Sequence, residues 1–113
     1  MRAKKPAHLA YVRQLPCIIC NNNIETEACH IRFADPSVGK PITGIGIKPD
    51  DWWVVPMCGA HHHEQHHIGN EKFFWKLWSI DPIRTAMALY LASGNVEKGE
   101  QIVRASAQPV FRN

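Results

Sequence analysis

Two pairs of soft ligands have the spacing of a metal knuckle: Cys17-x-x-Cys20 and Cys58-x-x-His61. Two intervening residues let one tight turn aim both side chains at a common ion. Two such pairs supply the four tetrahedral ligands that structural zinc prefers. His61, His62 and His63 are adjacent, and spacing favours His61 as the fourth ligand. Five of the seven histidines crowd one stretch, at His61, His62, His63, His66 and His67. On a helix, His62 and His66 stand one turn apart on one face and can chelate a single ion. His63 and His67 have the same spacing about 100° round the helix. With His61 committed to the knuckle, His62 and His66 are the pair expected to face the hairpin. The alternative is a polyhistidine surface with incidental metal affinity. His30 stands apart, in the run A-C-H-I-R.

These residues need elements to hold them. Ala7 to Leu15 reads as a short helix with Leu9, Val12 and Tyr11 as inward candidates, ended by Pro16. Cys17 to Asn23 is a tight turn. Ile24 to Phe33 reads as a strand, with Ala28 and His30 on one face and Cys29 and Ile31 on the other. Asp35 to Asp51 is rich in glycine and proline and has no period, so it reads as a long loop, of the kind often tied to function. Trp52 to Met57 reads as the second strand of a hairpin. Gly59 to about Leu77 reads as one helix. Asp81 as N-cap and Pro82 at the first helical position begin a helix to Ser93. Gly94 and Asn95 break it, and Val96 to Ala107 continues as another, with Ile102 and Val103 packing. Knuckle, hairpin and a helix whose start completes the site form a treble-clef arrangement. The expected fold is α+β, one domain over 1–113, with a core at 16–78 and a helical extension at 79–113.

The bulk numbers agree with a small globular chain. Of 113 residues, 45% are hydrophobic and 20% charged, an ordinary balance with a modest core that a metal staple would help. No apolar run is long enough to span a membrane. The basic start, MRAKKPAHLAYVRQLP, lacks the continuous apolar stretch of a signal peptide, so a cytoplasmic setting is expected. There, four cysteines argue for metal binding over disulfides. A net charge of +3 is compatible with nucleic acid without being diagnostic.

In combination, C-x-x-C, a histidine on a strand and C-x-x-H-H-x-x-x-H resemble the HNH, or ββα-metal, endonucleases. In detail the chain is most similar to prophage-encoded HNH-type proteins and phage recombination-enhancement nucleases. Those share the A-x-H-I-R strand and the P-[LM]-C-x-x-[CH]-H run, so the motifs extend from Cys17 to His66. The resemblance implies that His30 is a general base. It would take a proton from a water that attacks a DNA phosphodiester, as a neutral imidazole can near pH 7. It implies that His62 and His66 hold one divalent ion, Mg²⁺, Mn²⁺, Ni²⁺ or Zn²⁺, against the developing charge. It further implies a phage or prophage setting in DNA processing or recombination, with a recombination protein as a possible partner.

Two positions depart from that pattern. Cys29 stands where many HNH enzymes have Asp or His as a third metal ligand. A thiolate suits zinc but suits Mg²⁺ poorly; otherwise Cys29 is a small packed residue and water fills the position. Trp53 stands at the usual place of the family's Asn, five residues before Cys58, leaving Asp50 or Asp51 as candidate substitutes that ligate metal or water.

Arg32, Lys40 and Lys48, in and beside the glycine-rich loop, are the expected phosphate contacts. Arg2, Lys4, Lys5 and Arg13 could extend that surface. Trp52 and Trp53 could stack on bases, with one of the two facing the core. The first functional expectation is therefore a metal-dependent DNA endonuclease. The alternative is a treble-clef zinc module that binds nucleic acid or a protein partner without cutting. A purely structural zinc protein is a third reading, and it predicts no salt-dependent DNA binding.

Overall fold

The chain is described by a computed structural model over residues 2–43 and 48–106. Five α-helices and one antiparallel hairpin share a single core. Helix α1, Pro6–Val12, starts at a proline, which needs no N–H partner in the first turn. It ends three residues earlier than its periodicity suggests, though Leu15 beyond it is fully buried.

The knuckle follows. Asn21 takes a left-handed φ of 60°, and its N–H donates to the Cys17 carbonyl at 2.8 Å, closing the turn. Asparagine tolerates this conformation better than most residues. The Ile18 N–H donates to the Pro56 carbonyl at 2.8 Å and docks the knuckle onto the sheet.

Strand β1, Thr26–His30, pairs with β2, Val54–Cys58, in a register that sets Thr26 opposite Cys58 and His30 opposite Val54. The first strand is thus shortened at both ends, and the second starts two residues later and ends one residue later than expected. Trp52 and Trp53 precede β2, although the Ile31 N–H still donates to the Trp53 carbonyl at 2.9 Å. Within the intervening loop, Asp35 caps a 3-10 turn at Pro36–Val38 and bridges to Lys40. Residues 44–47 of that loop lie outside the described residues, as does Ala107.

The long helix expected after Gly59 is two. Helix α2, Gly59–Ile68, stops at Gly69, whose φ of 81° caps the end. Asn70 then caps α3, Glu71–Trp78, its side chain accepting from the Phe73 N–H at 3.1 Å. Helix α2 has no buried residue. It has no apolar stripe, and only Ile68 at its end packs half-buried against the core, so its start is left to be fixed by its first turn.

Asp81 and Pro82 begin α4, Pro82–Leu91, as their types predict, and α5 runs Val96–Ser106. These helices complete the same core: Ile83, Ala86, Leu89 and Val103 lie with Val12, Val54, Met57 and Phe74. At Gly99 of α5 a Cβ would fall inside contact distance of Tyr11 Oη and Leu15, so α5 meets α1 at a glycine. The Tyr11 hydroxyl donates to the Asn95 carbonyl at 2.9 Å across the same contact. No helix among the described residues is long and apolar enough to cross a membrane.

Candidate metal centre and adjoining histidine site

Cys17 and Cys20 come from the knuckle, Cys58 from the end of β2, and His61 from the first turn of α2. Their ligand atoms all lie within 4.8 Å of one another. Cys58 Sγ is 3.3 Å and Cys17 Sγ 3.9 Å from His61 Nδ1, and Cys20 Sγ is 4.0 Å from Cys58 Sγ. Metal–sulfur bonds of about 2.3 Å and metal–nitrogen bonds of about 2.0 Å give tetrahedral edges of roughly 3.5–3.8 Å. The donor set and spacings therefore fit one metal ion, zinc by chemistry. Burial pushes the Cys17 thiol up to about 11, only partly offset by backbone N–H groups around it. Burial acts the same way on Cys58, but the His61 and Ala60 N–H groups at the helix start, with the neighbouring cysteines, hold it below the ordinary thiol value. Trp78 packs edge-on to the His61 ring, with centroids 5.6 Å apart.

On the next face of α2, His62 Nε2 and His66 Nε2 are 3.1 Å apart. Two nitrogens at that separation can share one ion at ordinary bond lengths. Glu27 of β1 accepts from His62 Nδ1 at 2.6 Å. This fixes the tautomer that leaves Nε2 free to bind, the way carboxylates orient metal-binding histidines. Cys29 is buried, and its thiol is pushed far up, first by burial and then by surrounding negative groups. It lies within 4.8 Å of both Glu27 and His62. His63 and His67 stack on the solvent side, centroids 6.5 Å apart, and both are exposed. The pair facing the hairpin is thus His62 and His66, as the spacing indicates.

His30, His62 and His66 line one cavity of about 190 Å³ with Arg32, Lys48 and Gln65. His30 Nε2 donates to Asp51 Oδ1 at 2.8 Å, which leaves Nδ1 as the unprotonated nitrogen. Burial lowers the His30 pKa below its ordinary value, partly opposed by Asp51, and so favours the neutral ring. Asp51 is itself 2% exposed. It accepts from Arg2 Nη1 at 2.7 Å and from the Lys5 N–H at 2.8 Å. Although burial acts to raise its pKa, the Arg2 and His30 hydrogen bonds outweigh this and hold it down at about 2.

Three expectations change here. Asp50 and Asp51 do not line the histidine cavity as metal or water ligands. Asp51 is engaged by His30, Arg2 and Lys5, and Asp50 accepts from the Ala3 N–H at 2.6 Å. Lys40 is not a surface contact for phosphate: it is 1% exposed, with its ammonium 5.8 Å from the Trp53 ring centroid. Arg32 and Lys48 do remain exposed at the cavity. The residues added are Glu27 and Gln65, while Arg2, expected on the phosphate-binding surface, is paired with Asp51. Strand alternation places Glu27 on the face of Cys29, a usable signal. No local pattern could have brought Arg2 to Asp51.

Residues 1–76 match the model of a family described as a protein of unknown function, DUF968. The chain belongs to the DUF968 family. The match covers the knuckle, the hairpin, α2 and most of α3, so both histidine constellations lie in the DUF968 region, and α4 and α5 lie beyond it. Neither curated proteins nor solved structures give a match.

Proposed function

We propose that this chain is a metal-dependent DNA endonuclease of the HNH kind, with a treble-clef core built on structural zinc at Cys17, Cys20, Cys58 and His61. The observation that carries this reading is the shared cavity of His30, His62, His66, Arg32 and Lys48. It offers a base, a pair of metal donors and phosphate-neutralising cations within one small volume. Arg32 and Lys48 hold a phosphodiester by charge without reading its sequence. His30 Nδ1 takes a proton from a water as the water oxygen bonds to phosphorus, and the bond to the 3′ oxygen breaks on the opposite side. Asp51 keeps the imidazole in the required tautomer and stabilises the imidazolium that results. A divalent ion on His62 and His66 would supply positive charge against the pentavalent phosphorus and the leaving 3′ oxygen. The motif resemblance extends the setting to phage or prophage DNA processing or recombination.

Nicking of supercoiled plasmid with Mg²⁺, Mn²⁺, Ni²⁺ or Zn²⁺ tests the reading. His30→Ala is expected to lower the rate by about 10²–10⁴-fold, the usual contribution of a general base. Cleavage undiminished in His30→Ala would overturn the assignment.

One observation favours the second reading, a zinc module that binds DNA or a protein without cutting. Cys29, where a harder ligand suits catalysis, is buried and its thiol is held neutral. Salt-dependent DNA binding without cleavage under any of the four metals would support that module instead.

A further inference from the structure

Between the segment that enters β2 and helix α4 lies an apolar pocket that the cleavage chemistry does not use. Trp52, Trp53, Met87, Tyr90 and Leu91 line a volume of about 310 Å³. Trp52 and Tyr90 set their rings at 51° with centroids 5.7 Å apart, and Met87 and Leu91 are 39% and 90% exposed at the rim. A cluster of aromatic rings beside exposed apolar side chains is costly to leave in water unless it receives something.

What it receives is indicated by its neighbours. Trp53 also lines a second cavity, of about 370 Å³, with Lys48, Thr43, Asp50 and Arg2, whose guanidinium is paired with Asp51. Lys48 in turn lines the cavity that holds His30, His62 and His66. Three cavities in series therefore share a lining residue at each step, from the histidines, past Lys48, to the aromatic pocket. The backbone agrees: Trp53 is hydrogen-bonded to Ile31, the residue after His30. A cation for the phosphate next to aromatic faces for an unpaired base is what a single nucleic-acid strand requires. A paired base would keep its face in its own stack and could not enter.

We propose that the Trp52–Tyr90 pocket takes an unpaired nucleobase, so that the chain engages single-stranded DNA next to the phosphodiester held at His30. The proposal rests on the endonuclease reading only for that neighbouring position; base binding in the pocket is testable without cleavage. The pocket combines Trp52 and Trp53 of the family region with Met87, Tyr90 and Leu91 of α4, which lies outside it.

The probe is a fluorescein-labelled oligothymidylate, titrated against the zinc-loaded full chain, with a duplex of equal length as reference. Trp52→Ala is expected to weaken oligothymidylate binding about tenfold, within the usual range for one stacked base. It should also remove part of the tryptophan quenching seen on binding. Leu91→Asp keeps the test independent of folding, because Leu91 is 90% exposed. It is expected to weaken the same binding by placing a negative charge at the rim. Oligothymidylate affinity unchanged in both variants would overturn the proposal, including the case in which the pocket is a self-association face. Plasmid nicking by the unmodified chain reads the endonuclease reading separately. Absent nicking with Trp52-dependent single-strand binding leaves the pocket standing and removes the enzyme.

Discussion

Asp51 links the N-terminal segment to the histidine that carries the proposed chemistry. Its carboxylate is held at about 2, well under its ordinary 3.8. A depressed carboxylate stabilises the fold above its unfolded pKa, and that stability is lost as pH falls through the folded value. Asp51→Asn is therefore expected to cost on the order of 2 kcal/mol at pH 7. The gap to the unmodified chain should close between about pH 4 and pH 2, read by denaturant melts across that range. Because Asp51 pulls the His30 pKa upward against burial, the same substitution should lower it further. An NMR titration of His30 checks the direction, and a rise would contradict the hydrogen bond. The ligand types were legible at this scale from spacing alone, because two-residue gaps and helical turns constrain few atoms. Asp51 and Lys40 were not, since their environments depend on residues 2–5 and on a loop without period. Charge alone did not reveal that Lys40 is buried.

Among the elements, α2 is the unusual one, because it buries none of its residues. Cys58 and His61 stand at its start, and apart from Ile68 at its far end no apolar side chain fastens it to the core. Stripping zinc from the zinc-loaded chain with a chelator is expected to melt α2 before the core helices, read as loss of amide-exchange protection over Gly59–Ile68 first. Protection of α2 retained without metal would show that the knuckle does not anchor it. The opposite kind of element contact is at Gly99. Alanine favours a helix by about 1 kcal/mol over glycine. Here the added methyl would meet Tyr11 and Leu15, so Gly99→Ala should destabilise by about 1–3 kcal/mol in thermal or denaturant melts. The caps Asp81 and Pro82 were readable because capping is local. The division of α2 from α3 was signalled by Gly69 and Asn70, but the histidine run masks the period that would have made the break plain. The strands were read too long, because β-branched and aromatic runs continue past the paired residues.

Across the whole molecule, a charge of +3 is modest, so location matters more than sum. Arg32 and Lys48 lie at the histidine cavity, and Lys40 does not. Lys48→Ala is expected to lower the salt slope of single-stranded DNA binding by about one contact, near 0.7 in log–log units. Lys40→Met should leave that slope unchanged, because a buried ammonium releases no counterion from DNA. Equal effects from the two substitutions would place the DNA elsewhere. The arrangement as a whole gives one short helix two duties. Its first turn brings His61 to the candidate metal centre beside the hairpin, and its next face places His62 and His66 in one cavity with His30. The measurement that tests this most directly is anomalous scattering from crystals of the zinc-loaded chain soaked in Mn²⁺. The account predicts a zinc peak among Cys17, Cys20, Cys58 and His61, and a manganese peak between His62 Nε2 and His66 Nε2. No ion at the histidine pair, or zinc drawn away from the cysteine cluster, would contradict it.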